Sequence, residues 1–199
     1  ERHAFHPQGP GYIEALTRDW QPLQDMRLSD KDENGSRTMN THLHILEPYT
    51  NLYRVWKDPQ LERQLRTLIF IFTDKLFNPE NHHLDLFFDD RWQGRRDIHS
   101  YGHDIEAAWL LTEALEVLGD SQFTDQVMPI VIAIACAAVE GLCPDGSMIH
   151  ERNISTGHTD ADRHWWVQCE NVIGQVNNYQ HFHDAEALQR ALRCYQYIL

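Results

Sequence analysis

The sequence predicts an all-α fold, an αα-hairpin toroid of about six helices in three hairpins, with short β-hairpins or loops at the site end. Three observations carry this. Segments containing Glu47, Glu106 and Glu170 overlay in register, at intervals of 59 and 64 residues. Each runs through an apolar helical pattern to a turn that holds an aspartate: Lys57-Asp58-Pro59, Gly119-Asp120 and His183-Asp184. Each turn then leads into a second apolar stripe at helical spacing. Helix pairs repeating at such a period stack side by side, because no single pair buries its own apolar face.

The elements follow in order. Tyr12 to Trp20 and Leu84 to Trp92 each end in Trp-Gln and read as short hairpins or extended loops before a motif helix. Their third counterpart, Gly141 to Arg152, carries the turn signal Pro144-Asp145-Gly146. The first motif helix includes Met39 to Glu47, and Pro48 lacks an N–H for the carbonyl of His44, so this helix starts near His44 or kinks there. Either way, Asn40 stands at its entrance. In the second helices the expected buried faces are Leu61, Leu65, Leu68, Ile69, Phe72 and Leu76; then Phe123, Val127, Ile130, Val131 and Ile134; and last Leu188, Ala191, Leu192 and Tyr195. Three hairpins form an arc, and closing a ring of about six takes roughly twice the length. Residues 1–199 are therefore read as a single domain, an incomplete part of a larger ring; the alternative is a complete three-hairpin domain.

Composition excludes some partners. Thirty acidic against seventeen basic residues give a net charge of −13, which lacks the basic footprint that nucleic acid or an anionic membrane requires. The longest apolar run, Val127 to Val139, is short for a bilayer and contains Pro129. Cys136, Cys143, Cys169 and Cys194 show no C-x-x-C spacing and read as reduced thiols, so a cytoplasmic location is expected. Abundant aromatics and thirteen histidines fit a sugar-binding cleft and fit an aromatic-rich core nearly as well.

The chemistry concentrates at two helix entrances. Ser100 to Trp109 (Ser-Tyr-Gly-His-Asp-Ile-Glu-Ala-Ala-Trp) puts His103 and Glu106 on one helix face, and Met39 to Glu47 does the same with His44 and Glu47. His42 and His44 face nearly opposite ways, and Asn40 shares the face of His44, so His44 is the candidate. Gly102 permits an unusual backbone angle or the close approach of a ligand. Asp104 and Glu106 also suit a helix dipole, so a capped helix with a structural His–Glu pair is the competing reading. Trp166 occupies the position of Gly102 in the third repeat, where its ring would stack on a sugar face, while one of Trp165 and Trp166 belongs to the core. His82, His83, His150, His158, His164, His181 and His183 read as surface or loop residues, and Arg95-Arg96 as a solvated pair. Di-iron bundles need more bridging glutamates than Glu170 alone supplies, so no metal is expected.

Four segments carry a resemblance: Met39 to Glu47, Tyr49 to Trp56 (Tyr-Thr-Asn-Leu-Tyr-Arg-Val-Trp), Ser100 to Ala107 and Trp165 to Gln168 (Trp-Trp-Val-Gln). With Asp19 to Leu23 and Asp25 to Ser29, they resemble the cellobiose 2-epimerase family, within the N-acylglucosamine 2-epimerase superfamily, over nearly the whole chain. The resemblance implies an (α/α)6 barrel and cofactor-free epimerisation at C2 of the reducing-end sugar of β-1,4-linked disaccharides. It implies His103 as an acid/base histidine supported by Glu106, His44 near the ring oxygen, and Asn40 as its hydrogen-bonding neighbour. It also implies Trp166 as a sugar-stacking residue, with Asp32 a weaker match in the preceding loop and Glu47 beside the substrate. The implied partner is a small oligosaccharide, with no nucleic acid and no membrane, and the oligomeric state is open. Aldose–ketose isomerisation on the same scaffold, or a non-catalytic carbohydrate-binding module, are the alternatives.

Family members also carry an arginine before this segment and a second acid/base histidine after it, and neither is located in this sequence. Inversion requires an acid/base group on each face of C2. The 199-residue chain by itself is therefore expected to convert little or no cellobiose to glucosyl-mannose, and substantial turnover would sink the two-histidine assignment.

Overall fold

A computed structural model describes residues 3–5, 9–30, 32–94 and 97–199; the Arg95-Arg96 pair lies outside them. It divides into two compact units, Glu1–Leu76 with Asp85–Arg96, and Phe77–Leu84 with Asp97–Leu199.

The first unit holds β1 (Arg37–Thr38), α1 (Met39–Val55), α2 (Pro59–Ile71), a π-helical turn (Phe72–Leu76) and β2 (Phe87–Phe88). Strands β1 and β2 pair antiparallel, Arg37 opposite Phe88 and Thr38 opposite Phe87. Helix α1 starts at Met39, where the Thr38 hydroxyl accepts from Thr41 N–H at 3.1 Å. A start near His44 is thus overturned: the Thr38 cap and the burial of Leu43 and Leu46 hold the first turns, while Pro48 is exposed within the helix. Asn40 does stand at the entrance. Asp58 caps α2 through the N–H groups of Gln60 and Leu61, with Pro59 at the first helical position. Leu61, Leu65, Leu68, Ile69, Phe72 and Leu76 are all buried, as their spacing predicts.

The second unit holds β3 (Ile98–Ser100), α3 (Tyr101–Leu118), α4 (Ser121–Ala138), a 3-10 turn (Val139–Gly141), β4 (Glu151–Asn153), β5 (Thr159–Asp160), α5 (Trp165–Phe182) and α6 (Ala185–Ile198). Helix α3 packs on both α4 and α5, and α5 on α6. Twelve of the eighteen residues of α3 are buried, so it lies inside, with apolar residues nearly all round. Gly174 lets α5 approach α3, since a Cβ there would sit 2.3 Å from Ile105 Cγ1. Asp120 and Asp184 cap α4 and α6 through Phe123 N–H and Glu186 N–H. In α6 the buried line is Ala187, Ala191 and Cys194, whereas Leu192 and Tyr195 are exposed, contrary to expectation. The helix is rotated so that small residues meet α5. In α4, Val127, Val131 and Ile134 are buried as expected, and Phe123 and Ile130 are half-buried. Extended by its polar first turn, Ser121–Gly141 is long and apolar enough to cross a membrane by length and composition, although a third of its apolar window is buried against the unit. The short apolar run therefore understated its length.

Sheet β3-β4-β5 is antiparallel, with Ser100 opposite Glu151 and Glu151 opposite Asp160. It opens directly into α3, so short strands do gather at the motif-helix entrances. The three pre-helix loops also share one turn. Thr17, Asp89 and Cys143 each donate N–H to the carbonyl four residues on, at Gln21, Gln93 and Ser147. The residue one before each acceptor has positive φ: Trp20 (65°), Trp92 (60°) and Gly146 (89°).

In the first unit His42 is fully buried. Its Nδ1 donates to Thr38 O at 2.6 Å and its Nε2 accepts from Tyr12 N–H at 3.0 Å, which fixes a neutral ring. Burial, against the Thr38 bond and with help from the Arg37 cation, brings its pKa from 6.5 down to about 4. The unfolded chain takes up this proton near pH 6.5 and the native state only near pH 4. Stability is therefore lost as pH falls through that window, by about 3 kcal/mol in total. Urea unfolding of His42→Gln should show this part of the acid loss gone; an unchanged pH slope would refute the assignment.

Candidate active site

The first unit places Asn40 and His44 one turn apart on α1, with Glu47 a turn further on. Asn40 and Glu47 are half-buried and His44 is exposed. His42 points into the core instead, which agrees with choosing His44. Asp32 is half-buried, and its Oδ2 accepts from Ser29 N–H at 2.8 Å, closing its own loop. No contact links it to Asn40 or His44 among the described residues.

In the second unit, β3 ends at Ser100 and His103 follows in the first turn of α3. Ser100 Oγ lies 2.8 Å from His103 Nδ1, which fixes the half-buried imidazole. Sequence reasoning gave this orienting position to Glu106, which is 8% exposed and one turn along. Only the strand-to-helix junction reveals the part of Ser100. The Trp166 ring lies 4.8 Å from that of His103, tilted by 44°. A Cβ on Gly102 would stand 2.8 Å from Trp166 Cζ3 and from Val167 Cγ2. The glycine thus admits the indole rather than a ligand, and its φ is not positive. Trp166 packs at the edge of a core of Tyr101, Ile105, Ala138, Met148 and Val167, while Trp165 is 77% exposed. Trp109 Nε1 donates to Glu170 Oε2 at 2.8 Å, so the third aligned glutamate is tied to α3.

Several residues escaped the sequence reading. His150 is not a bare loop residue: its ring lies 4.2 Å from that of His164 and 6.1 Å from Trp166, and its Nδ1 is 3.3 Å from Asp160 Oδ2. The β4-β5 hairpin thus carries histidines up to the tryptophan beside His103. His83 is likewise no surface residue, being 1% exposed. Its Nδ1 lies 2.7 Å from Asp104 Oδ2, and Asp104 Oδ1 accepts from Leu84 N–H at 3.0 Å. Burial disfavours charge on His83, but the Asp104 bond and charge, with Glu140, raise its pKa overall. Asp104, expected to serve the helix dipole, is instead a buried anchor for loop 77–84. A second anchor is Gln168, which accepts from Met148 N–H at 2.8 Å and donates to Met148 O at 2.9 Å. Two signals in the sequence pointed this way: a carboxylate inside an apolar helix face and a glutamine among tryptophans.

Comparison with known proteins supplies the family. Residues 8–199 match the model of the N-acylglucosamine 2-epimerase (GlcNAc 2-epimerase) family. The chain is 56% identical to cellobiose 2-epimerase of Bacteroides fragilis, over all of this chain and half of that protein. The structure of cellobiose 2-epimerase from Bacillus thermoamylovorans matches 98% of the chain with half of its own, at TM-score 0.90 and 38% identity. A sugar epimerase from a ruminal bacterium matches all of it, at TM-score 0.91 and 34% identity, again with half of its own chain. The chain thus spans about half the length of the relatives it matches. Those neighbours are (α/α)6 barrels, and the six helices here form part of that architecture. On the family match, the identity and the fold together, the chain belongs to the N-acylglucosamine 2-epimerase family, resembling its cellobiose 2-epimerases.

Proposed function

We propose that this chain contributes to cofactor-free C2 epimerisation of the reducing-end sugar of a β-1,4-linked disaccharide, cellobiose to glucosyl-mannose. The observation that carries the proposal is His103, held by Ser100 and set against Trp166 at the mouth of α3, in a chain 56% identical to a cellobiose 2-epimerase. The chemistry is ring opening, loss of the C2 proton made acidic by the C1 aldehyde, and return of a proton to the opposite face of the enediolate. Histidine suits both directions because its pKa lies near neutrality. A hydroxyl on Nδ1 assigns proton exchange to Nε2 of His103. The buried carboxylate of Glu106 stabilises the imidazolium that forms. His44 exchanges a proton with the ring oxygen during opening, and Asn40 donates a hydrogen bond to developing negative charge. Trp166 stacks on the apolar face of a pyranose, and Glu47 and Asp32 hold substrate hydroxyls. The reading includes a cytoplasmic location, supported by four free cysteines, and a soluble sugar as partner.

His103→Ala in the full-length protein should lower turnover by about a hundredfold to ten-thousandfold, with mannose-type product from the parent enzyme in sugar chromatography. Ketose product would favour aldose–ketose isomerisation, and undiminished function a binding module. Gly102→Ala should push the indole off its seat and raise KM for cellobiose about threefold to tenfold with a smaller change in kcat. An unaltered KM would remove Trp166 from the binding site.

A further inference from the structure

His83, His99 and Glu140 take no part in the proposed reaction, yet each offers one ligand atom, and these atoms lie within 4.8 Å of one another. They come from loop 77–84, from β3 and from the 3-10 turn after α4. His83 Nδ1 is engaged by Asp104 at 2.7 Å. His83 Nε2 is buried and has no hydrogen-bond partner among the described residues; Glu140 Oε2 stands 3.5 Å away. The His99 ring stacks on His83 with centroids 3.7 Å apart, and Asn81 Nδ2 lies 3.0 Å from its Nε2.

That corner is chemically unbalanced. With Nδ1–H donating to Asp104, the Nε2 of a neutral imidazole presents a lone pair toward a carboxylate oxygen that also presents lone pairs. A cation placed between them satisfies both. We propose that His83, His99 and Glu140 bind a divalent transition-metal ion of the zinc type. Two imidazoles and a carboxylate are a donor set such ions take, with water completing a tetrahedron. Magnesium and calcium, which want oxygen ligands, are disfavoured. Asp104 behind His83 supplies the carboxylate–histidine–metal arrangement that fixes the tautomer and strengthens the ligand. The Glu140 side chain is 61% exposed, so it can swing inward and the ion has a path from solvent. Metal–ligand bonds of about 2 Å draw the donor atoms together, so the cluster contracts on binding and displaces any proton from Nε2. The ion would clip loop 77–84 to the ends of α4 and β3.

A second cluster, His150, Asp160 and His164, also brings ligand atoms together but adjoins Trp166 within the proposed sugar site. The experiment separates the two. Full-length protein stripped with EDTA is titrated with Co²⁺ and then Zn²⁺, followed by visible absorption and calorimetry. A single ion per chain with the intense bands of tetrahedral cobalt is expected, displaced by Zn²⁺. Glu140→Gln and His99→Gln should each weaken binding at least about tenfold, while His150→Ala leaves it within about twofold. Glu140 is exposed, so its variant keeps the fold, checked by circular dichroism, even where the His99 variant does not. No binding up to about 1 mM Zn²⁺, affinity surviving Glu140→Gln, or affinity lost in His150→Ala would each overturn the proposal.

Discussion

The second unit depends on a carboxylate that has no business being buried alone. Asp104 lies in the first turn of α3 at 1% exposure, and it stays there because His83 and the Leu84 N–H satisfy its two oxygens. Breaking such a buried pair costs roughly 3–5 kcal/mol, since the remaining charge has no solvent to turn to. Loop 77–84 is thereby fastened to the turn that carries His103. Gln168 repeats the device one helix later, clasping both backbone groups of Met148. Polar residues inside apolar helix faces therefore fix where the loops enter, and the loops fix the site.

Close packing does the rest. Gly102 and Gly174 sit where α5 meets α3, and at each a Cβ would fall inside van der Waals contact with the neighbouring helix. The first seats Trp166 beside His103; the second lets Ile105 into the interface. A site of this kind gains precision from rigid helices rather than from loops. The His103 ring is then positioned by three neighbours of different chemistry: a hydroxyl, an indole and the helix itself.

The repeat has a signature at the level of backbone as well as sequence. Trp20, Trp92 and Gly146 take the same left-handed place in equivalent turns, although only the third is a glycine. A tryptophan there accepts some strain, and its ring is the gain: Trp92 lies under the Arg37 guanidinium at 4.8 Å and packs on Phe88 and His42. The Trp-Gln pairs were visible in the sequence, but their shared conformation was not.

The sequence by itself determined the three hairpins, the aspartate caps at Asp58, Asp120 and Asp184, the buried stripe of α2, and the choice of His44 over His42. These are local properties, set by helical period and by side chains that satisfy helix N-termini. It misjudged the start of α1, because a single proline weakens one hydrogen bond while a cap and core burial hold several turns. It misjudged the face of α6, because small residues and long apolar ones compete and only the neighbouring helix decides between them. Tertiary structure alone decided the partners of His83, Asp104, Ser100 and His150. Each pair joins residues from different elements, and no periodicity within one element encodes which loop will supply the atom that a buried charge or ring nitrogen requires.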